Sequence, residues 1–222
     1  GARTDGNFTS GRTPGGTPFV VIDALGGVKG DDLLADNVAA KEAAKYVKTG
    51  THYFIPQFRQ LYTDNRTRFS FVGFLFCGGW MLYRKMYKLG TVFTVLWGLI
   101  LLAQTYITLF YSNFLNNALE TYRTLVTDSL TKFTSVTEVF SELFGSMTNE
   151  QIFIFVLYFV LGFITVLMRV ICGICSNRWY YKHCMKSVAK IKAKSKSPEE
   201  LEQNLNSRGG VNVPLAISLI AS

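Results

Sequence analysis

The chain has 222 residues and a formal net charge of +8, room for one or two domains at roughly 100–200 residues each. Its aromatic content is 14%, with 18 Phe and 11 Tyr, while its charged fraction of 17% lies below the ~25% of typical soluble domains. That balance argues against an ordinary soluble domain, and the four cysteines, Cys77, Cys172, Cys175 and Cys184, all lie in or beside apolar segments, unlike a secreted disulfide framework.

Residues 1–30 read as a flexible leader. The opening "GARTDGNFTSGRTPGGTP" is rich in Gly, Thr and Pro, and Phe19 to Asp23 is a candidate short extended segment. Residues 31–68 read as a small helical region. "DDLLADNVAAKEAAKYVK" is Ala-rich, with Asp31 and Asp32 suited to a helix start, Lys45 and Lys48 to its end, and Gly50 to a stop. Thr51 to Tyr62 predicts a second helix with Pro56 in its first turn.

The membrane domain is expected over 69–176. "FSFVGFLFCGGWMLY", residues 69–83, is uncharged, but as a helix it is only about 22 Å long. Arg66 and Arg68 precede it and Arg84, Lys85 and Lys88 follow it. It is therefore read as a re-entrant or in-plane helix, with Gly73, Gly78 and Gly79 permitting a bend or close packing. A tilted third crossing, which would place the N-terminus outside, is the alternative. Two longer runs, placed at 90–112 and 149–171, each approach the ~20 residues that cross ~30 Å of hydrocarbon. "TNEQ", Thr148 to Gln151, is a capping box opening the second.

Between them, 114–145 carries an apolar stripe at spacings of four and three: Leu115, Leu119, Tyr122, Val126, Phe133, Val136, Phe140 and Leu143. Glu120, Arg123, Asp128, Lys132, Glu138 and Glu142 occupy the other face. The pattern predicts one amphipathic helix lying on the membrane surface, with a hairpin broken near Asp128 as the alternative. Residues 177–222 form a basic helix and tail. Arg178, Lys182, Lys186 and Lys190 are spaced by four, and Lys192 and Lys194 extend the charge, a pattern suited to anionic lipid. Ser197, Pro198 and Glu200 start a further short helix, ended by Arg208-Gly209-Gly210.

Charge asymmetry orients the chain. Residues 1–68 carry +2, 84–88 carry +3, 113–150 carry −3 and 169–222 carry +6. The positive segments belong in the cytoplasm, so both termini are expected there and the amphipathic segment outside. The fold class is thus an all-α integral membrane protein with two transmembrane helices, a short re-entrant or in-plane helix and an amphipathic interfacial helix.

"FSFVGFLFCGGWMLYRKMY" resembles the aromatic-rich "FNWAAFFFGPFWFLYRKMY" type of segment of a family of bacterial membrane proteins, catalogued as a domain of unknown function. Members of that family often carry an N-terminal zinc ribbon. "AAKYVKTGTHYFIPQFRQL" and "NRWYYKHCMKSVAKIKAK" followed by "SRGG" resemble its flanking segments, so the likeness covers roughly residues 43–210. This chain lacks zinc-ribbon cysteines before Phe19. The resemblance implies a bacterial inner membrane and no particular activity.

Cys172-Gly173-Ile174-Cys175 has redox spacing but sits at the end of a membrane helix rather than in a βαβ setting, and packing is the favoured role. His183 and Cys184 complete a possible ligand set that helical spacing does not gather easily. No catalytic, cofactor or metal residue is assigned. The reading is a non-enzymatic accessory or scaffold subunit, with the Leu115–Leu143 stripe as partner site, anionic lipid on the basic helix and no nucleic acid. The alternative is a small channel or transporter subunit, as a single chain or an oligomer.

Overall fold

A computed structural model describes residues 23–132 and 135–215. Two long helices dominate it, α4 (Tyr87–Lys132) and α6 (Asn149–Lys192). At 1.5 Å per residue α6 is about 66 Å long, twice what a bilayer core requires. Both helices are long and apolar enough to cross a membrane. Only 11% of the apolar stretch of α4 and 17% of that in α6 is buried by the rest of the chain. They are therefore not core helices of a packed globule; Phe110 and Phe163 stand 69% and 68% exposed.

The second half of α6 leaves the apolar run and becomes the spine of a small domain. Around it pack a hairpin, β1 (Leu33–Ala35) with β2 (Val38–Ala39), then α1 (Ala40–Val47), α2 (Thr51–Asp64) and α7 (Pro198–Arg208). The shared core includes Leu34, Val38, Val47, Ile55, Phe58, Tyr180 and Val188, all buried. Asp31 and Asp32 do not start a helix. The antiparallel hairpin occupies that stretch, turning at Asp36-Asn37 and burying both Leu34 and Val38. The first helix starts instead at Ala40, with Glu42 accepting from the Ala39 N–H at 3.0 Å. Pro56 lies inside α2, past the first turn; its ring and the His52 carbonyl crowd Gly26, where a Cβ would meet the Pro56 Cγ at 2.7 Å.

The predicted surface helix over 114–145 is absent as a single rod. α4 runs on to Lys132 with a kink at Tyr111, and α5 (Val136–Gly145) packs back against it. Ser135 caps α5: its hydroxyl accepts from the Glu138 N–H at 3.4 Å and Glu138 accepts from the Ser135 N–H at 3.2 Å. Folding back buries Leu115, Ala118 and Leu143 with Ile107, Ile154 and Phe155, an apolar cluster that a straight helix would forfeit. The break falls a few residues past Asp128. The "TNEQ" box opens α6, with Gln151 N–H on the Thr148 hydroxyl at 3.3 Å and the reciprocal bond at 3.0 Å. Ser197 likewise caps α7, at 3.2 Å from the Glu200 nitrogen.

The short apolar segment forms α3 (Phe71–Tyr83), packed chiefly against α6 and α4. Ser70 caps it, and the helix is broken at Cys77, where φ is 38° and ψ −110°. It ends in a Schellman turn: Met86 N–H bonds the Met81 carbonyl at 2.9 Å and Lys85 N–H the Leu82 carbonyl at 3.0 Å, with Lys85 left-handed. Ser70 N–H donates to the Gly173 carbonyl, Cys77 is disulfide-bonded to Cys172, and Trp80 stands edge-on to Tyr180. These contacts with α6 span Cys172 to Tyr180, about 12 Å of helix rise.

Candidate functional site

Glycines let α3 lie this close. A Cβ on Gly73 would meet Ser176 Cβ at 2.8 Å and the Cys172 carbonyl at 3.1 Å, and one on Gly78 would meet Thr94 N at 2.8 Å. Gly173 faces the Phe69 ring in the same way. A cavity of about 830 Å³ lies between the three helices, beside the kink at Cys77. Its wall is largely aromatic, with Phe76, Trp80, Phe93 and Trp97 among its members. Both charged residues of the lining are arginines, Arg84 and Arg169.

Arg84 is only 7% exposed. A guanidinium stays protonated, and burying it unpaired is costly. No carboxylate lies within ion-pair reach among the described residues. Partial compensation comes from the Thr49 carbonyl, which accepts from Nη1 at 3.0 Å, and from aromatic faces: Phe54 at 4.4 Å, Tyr180 at 5.2 Å and Tyr83 at 5.5 Å. The Arg84 Nε is buried with no partner. Beside it burial holds the Tyr180 hydroxyl well above the ordinary phenol range and pushes the Cys184 thiol up to about 12, so Cys184 is an inert packing group. Nearby, the buried Asn177 amide donates to the Arg68 carbonyl at 3.0 Å and to the hydroxyl of Tyr53, itself part of the lining, at 3.1 Å.

Two of the cysteines depart from the expected packing role. Cys172 pairs with Cys77, their Cα atoms 5.4 Å apart, while Cys175 stays free and half-buried. Helical geometry explains it: residues three apart on α6 point to neighbouring but different directions, and α3 delivers Cys77 directly onto Cys172. His183 faces the Tyr46 hydroxyl at 3.4 Å instead of joining a ligand set.

The basic stripe divides into two groups. Arg178 donates to the Asn65 carbonyl at 3.0 Å, and Lys192 donates to the Asn37 carbonyl at 2.9 Å while pairing with Glu42 at 2.8 Å. These two fasten the small domain to α6. Lys182, Lys186, Lys190 and Lys194 are exposed. The apolar stripe also divides. Leu115 and Leu143 are buried in the α4–α5 cluster, Val126 is half-buried, and Leu119, Tyr122 and Phe140 remain open, with the last two rings 6.2 Å apart. Phe133 lies outside the described residues; Val136 begins α5.

Sequence reasoning placed Arg84 among flanking charges. Its position directly after an aromatic run was the available signal for burial against rings. The Ser135–Glu138 capping box was likewise legible, since S-x-x-E precedes "VFSELF". No protein-family model, curated protein or solved structure matches the chain.

Proposed function

We propose that the chain is an integral membrane protein of two crossings that acts without chemistry of its own, as an accessory or scaffold subunit holding partners in or beside the bilayer. One observation carries this reading. The apolar stretches of α4 and α6 are left uncovered by the chain, while the same α6 continues as the spine of a packed domain built from residues near both ends of the chain. A helix that is bare over one half and encased over the other couples a bilayer segment rigidly to a domain beside it. Residues 23–64 and α7 share that core, so they belong on one face of the membrane, the cytoplasmic face by the charge asymmetry. In-plane placement of α3 is supported by its named contacts with α6, which cover about 12 Å against the ~30 Å of a crossing. The resemblance noted above adds the bacterial cytoplasmic membrane as the expected location.

Among the described residues of the stripe, Leu119, Tyr122 and Phe140 remain exposed as the partner surface on the opposite side. A photo-crosslinking amino acid at Tyr122 or Phe140, in cells, tests it. A single defined protein adduct, a second copy of the chain or another subunit, is the expected outcome. Adducts with lipid alone, together with a monomeric purified protein, would leave the scaffold reading without support and reject it.

A further inference from the structure

We propose that the cavity between α3, α4 and α6 is a binding site for an anionic phospholipid of the surrounding bilayer, its phosphate on Arg84 and one acyl chain along the aromatic wall. The site rests on the membrane reading above and is separate from the exposed lysine stripe.

Three features select this ligand. The cavity, at about 830 Å³, lies within the roughly 300–1,000 Å³ of built ligand pockets. Its wall is apolar and aromatic, which suits a hydrocarbon chain and nothing strongly hydrated. Its charged lining is cationic without a carboxylate: Arg84, 7% exposed with its Nε unpartnered, and the half-buried Arg169. A buried guanidinium without a counter-ion is stabilised by an anion brought to it, and Arg geometry matches phosphate oxygens. An apolar small molecule would leave that charge uncompensated. A hydrophilic anion would leave the rings wet. An anionic lipid satisfies both parts. The second acyl chain remains in the bilayer, reached past the exposed Phe71 and Phe76 of α3.

Trp80 reports on the site directly. It lines the cavity yet is only 6% exposed, so lipid in bulk contact with the protein surface does not reach it. The chain has three tryptophans, and Trp97→Phe with Trp179→Phe leaves Trp80 as the sole emitter. This variant of the full chain is placed in phosphatidylcholine vesicles containing brominated-chain phosphatidylglycerol or brominated-chain phosphatidylcholine. The expected result is stronger quenching of Trp80 by the phosphatidylglycerol probe at equal mole fraction. Arg84→Gln should weaken its apparent affinity about tenfold, the effect of losing one charge-assisted contact. Arg169→Gln should weaken it to a lesser degree. Gly79→Leu should abolish the difference between probes, because a side chain at Gly79 enters open space in the cavity. That variant keeps the test decisive if Arg84→Gln does not fold.

Equal quenching of Trp80 by both probes overturns the proposal. So does relief of quenching by excess inorganic phosphate, which would mark a site for the free anion. A parallel variant retaining only Trp97, 41% exposed, separates the two levels of inference. Quenching of Trp97 but not Trp80 refutes the lipid site and leaves the membrane reading intact. Quenching of neither refutes the membrane reading itself.

Discussion

Replacing Gly73 by alanine tests whether α3 lies across α6. Gly73 has no room for a Cβ, which would fall 2.8 Å from Ser176 Cβ and 3.1 Å from the Cys172 carbonyl, besides striking the Ser176 hydroxyl. The hydroxyl can rotate; the Ser176 Cβ and the α6 backbone cannot move without shifting the helix. Overpacking of this kind costs about 1–3 kcal/mol. Alanine also raises helix propensity over glycine by roughly 0.8–1 kcal/mol, which partly masks the cost. Gly79→Ala supplies the correction, because Gly79 lies on the same helix and a Cβ there meets nothing within 4 Å. The propensity gain is common to both variants, so their difference isolates the contact: Gly73→Ala should be about 1–3 kcal/mol less stable than Gly79→Ala. Reversible unfolding in mixed micelles, followed by tryptophan emission, measures the pair. Equal stabilities, or Gly73→Ala the more stable, would mean that α3 does not rest on Ser176.

Single cysteines at Asn65 and Lys88, in a variant lacking the four native ones, should react with an impermeant thiol reagent only when the cytoplasmic face is open; labelling of Asn65 from outside intact cells would mean three crossings and an external N-terminus. Replacing Lys182, Lys186, Lys190 and Lys194 with Gln in the full chain should remove about 4 kcal/mol of attraction to anionic membranes at low salt, at about 1 kcal/mol for each basic residue, and insensitivity of membrane surface contact to salt would contradict it. His183, beyond the apolar run and half-buried against Tyr46, has its pKa lowered by burial. The unfolded chain therefore takes up this proton first, so its contribution to stability is complete above an ordinary histidine pKa of about 6.5 and is lost as pH falls below that toward the folded value. His183→Gln should flatten unfolding midpoints across that range, and an unchanged pH profile would show that the ring is not buried. Thr148→Ala should cost α6 about 0.5–2 kcal/mol through its lost cap, measured by the same unfolding assay.

Local signals in the chain were read well where the chemistry is local. The apolar runs of α4 and α6, the Thr148–Gln151 box, the Ser197-Pro198 start of α7 and the stop at Gly209 each depend on a few adjacent residues, and each appears where its pattern placed it. The failures are of another kind. A heptad-like stripe from Leu115 to Leu143 states only that these residues share a face if the helix is unbroken. It carries no information on whether they face lipid, a partner or one another. Two residues outside the regular pattern, Ser135 and Glu138, decided that question by capping a new helix. Likewise Leu33 to Ala39 lies in an Ala-rich context with good helix formers, and burial of Leu34 and Val38 against α2 and α6 overrode that propensity.

Arg84 is where the local and tertiary readings diverge most. As a sequence feature it belongs to "YRKMYK", a basic flank that orients a membrane segment, and only its place directly after the aromatic run separates it from Lys85 and Lys88. In the fold those three part company. Lys85 turns back to cap α7, donating to the Gly209 and Arg208 carbonyls at 2.6 and 3.2 Å, and Lys88 stays exposed. Arg84 goes inward, because the Schellman turn at Lys85 fixes the direction of its side chain and the faces of Phe54 and Tyr180 receive a planar cation. Rings, the Tyr180 hydroxyl and the Thr49 carbonyl do not fully replace the hydration it gives up, and its Nε is left open. The same turn that ends α3 thus also sets a partly compensated charge beside an apolar cavity. The short helix and the buried cation at the cavity are two consequences of one piece of backbone geometry.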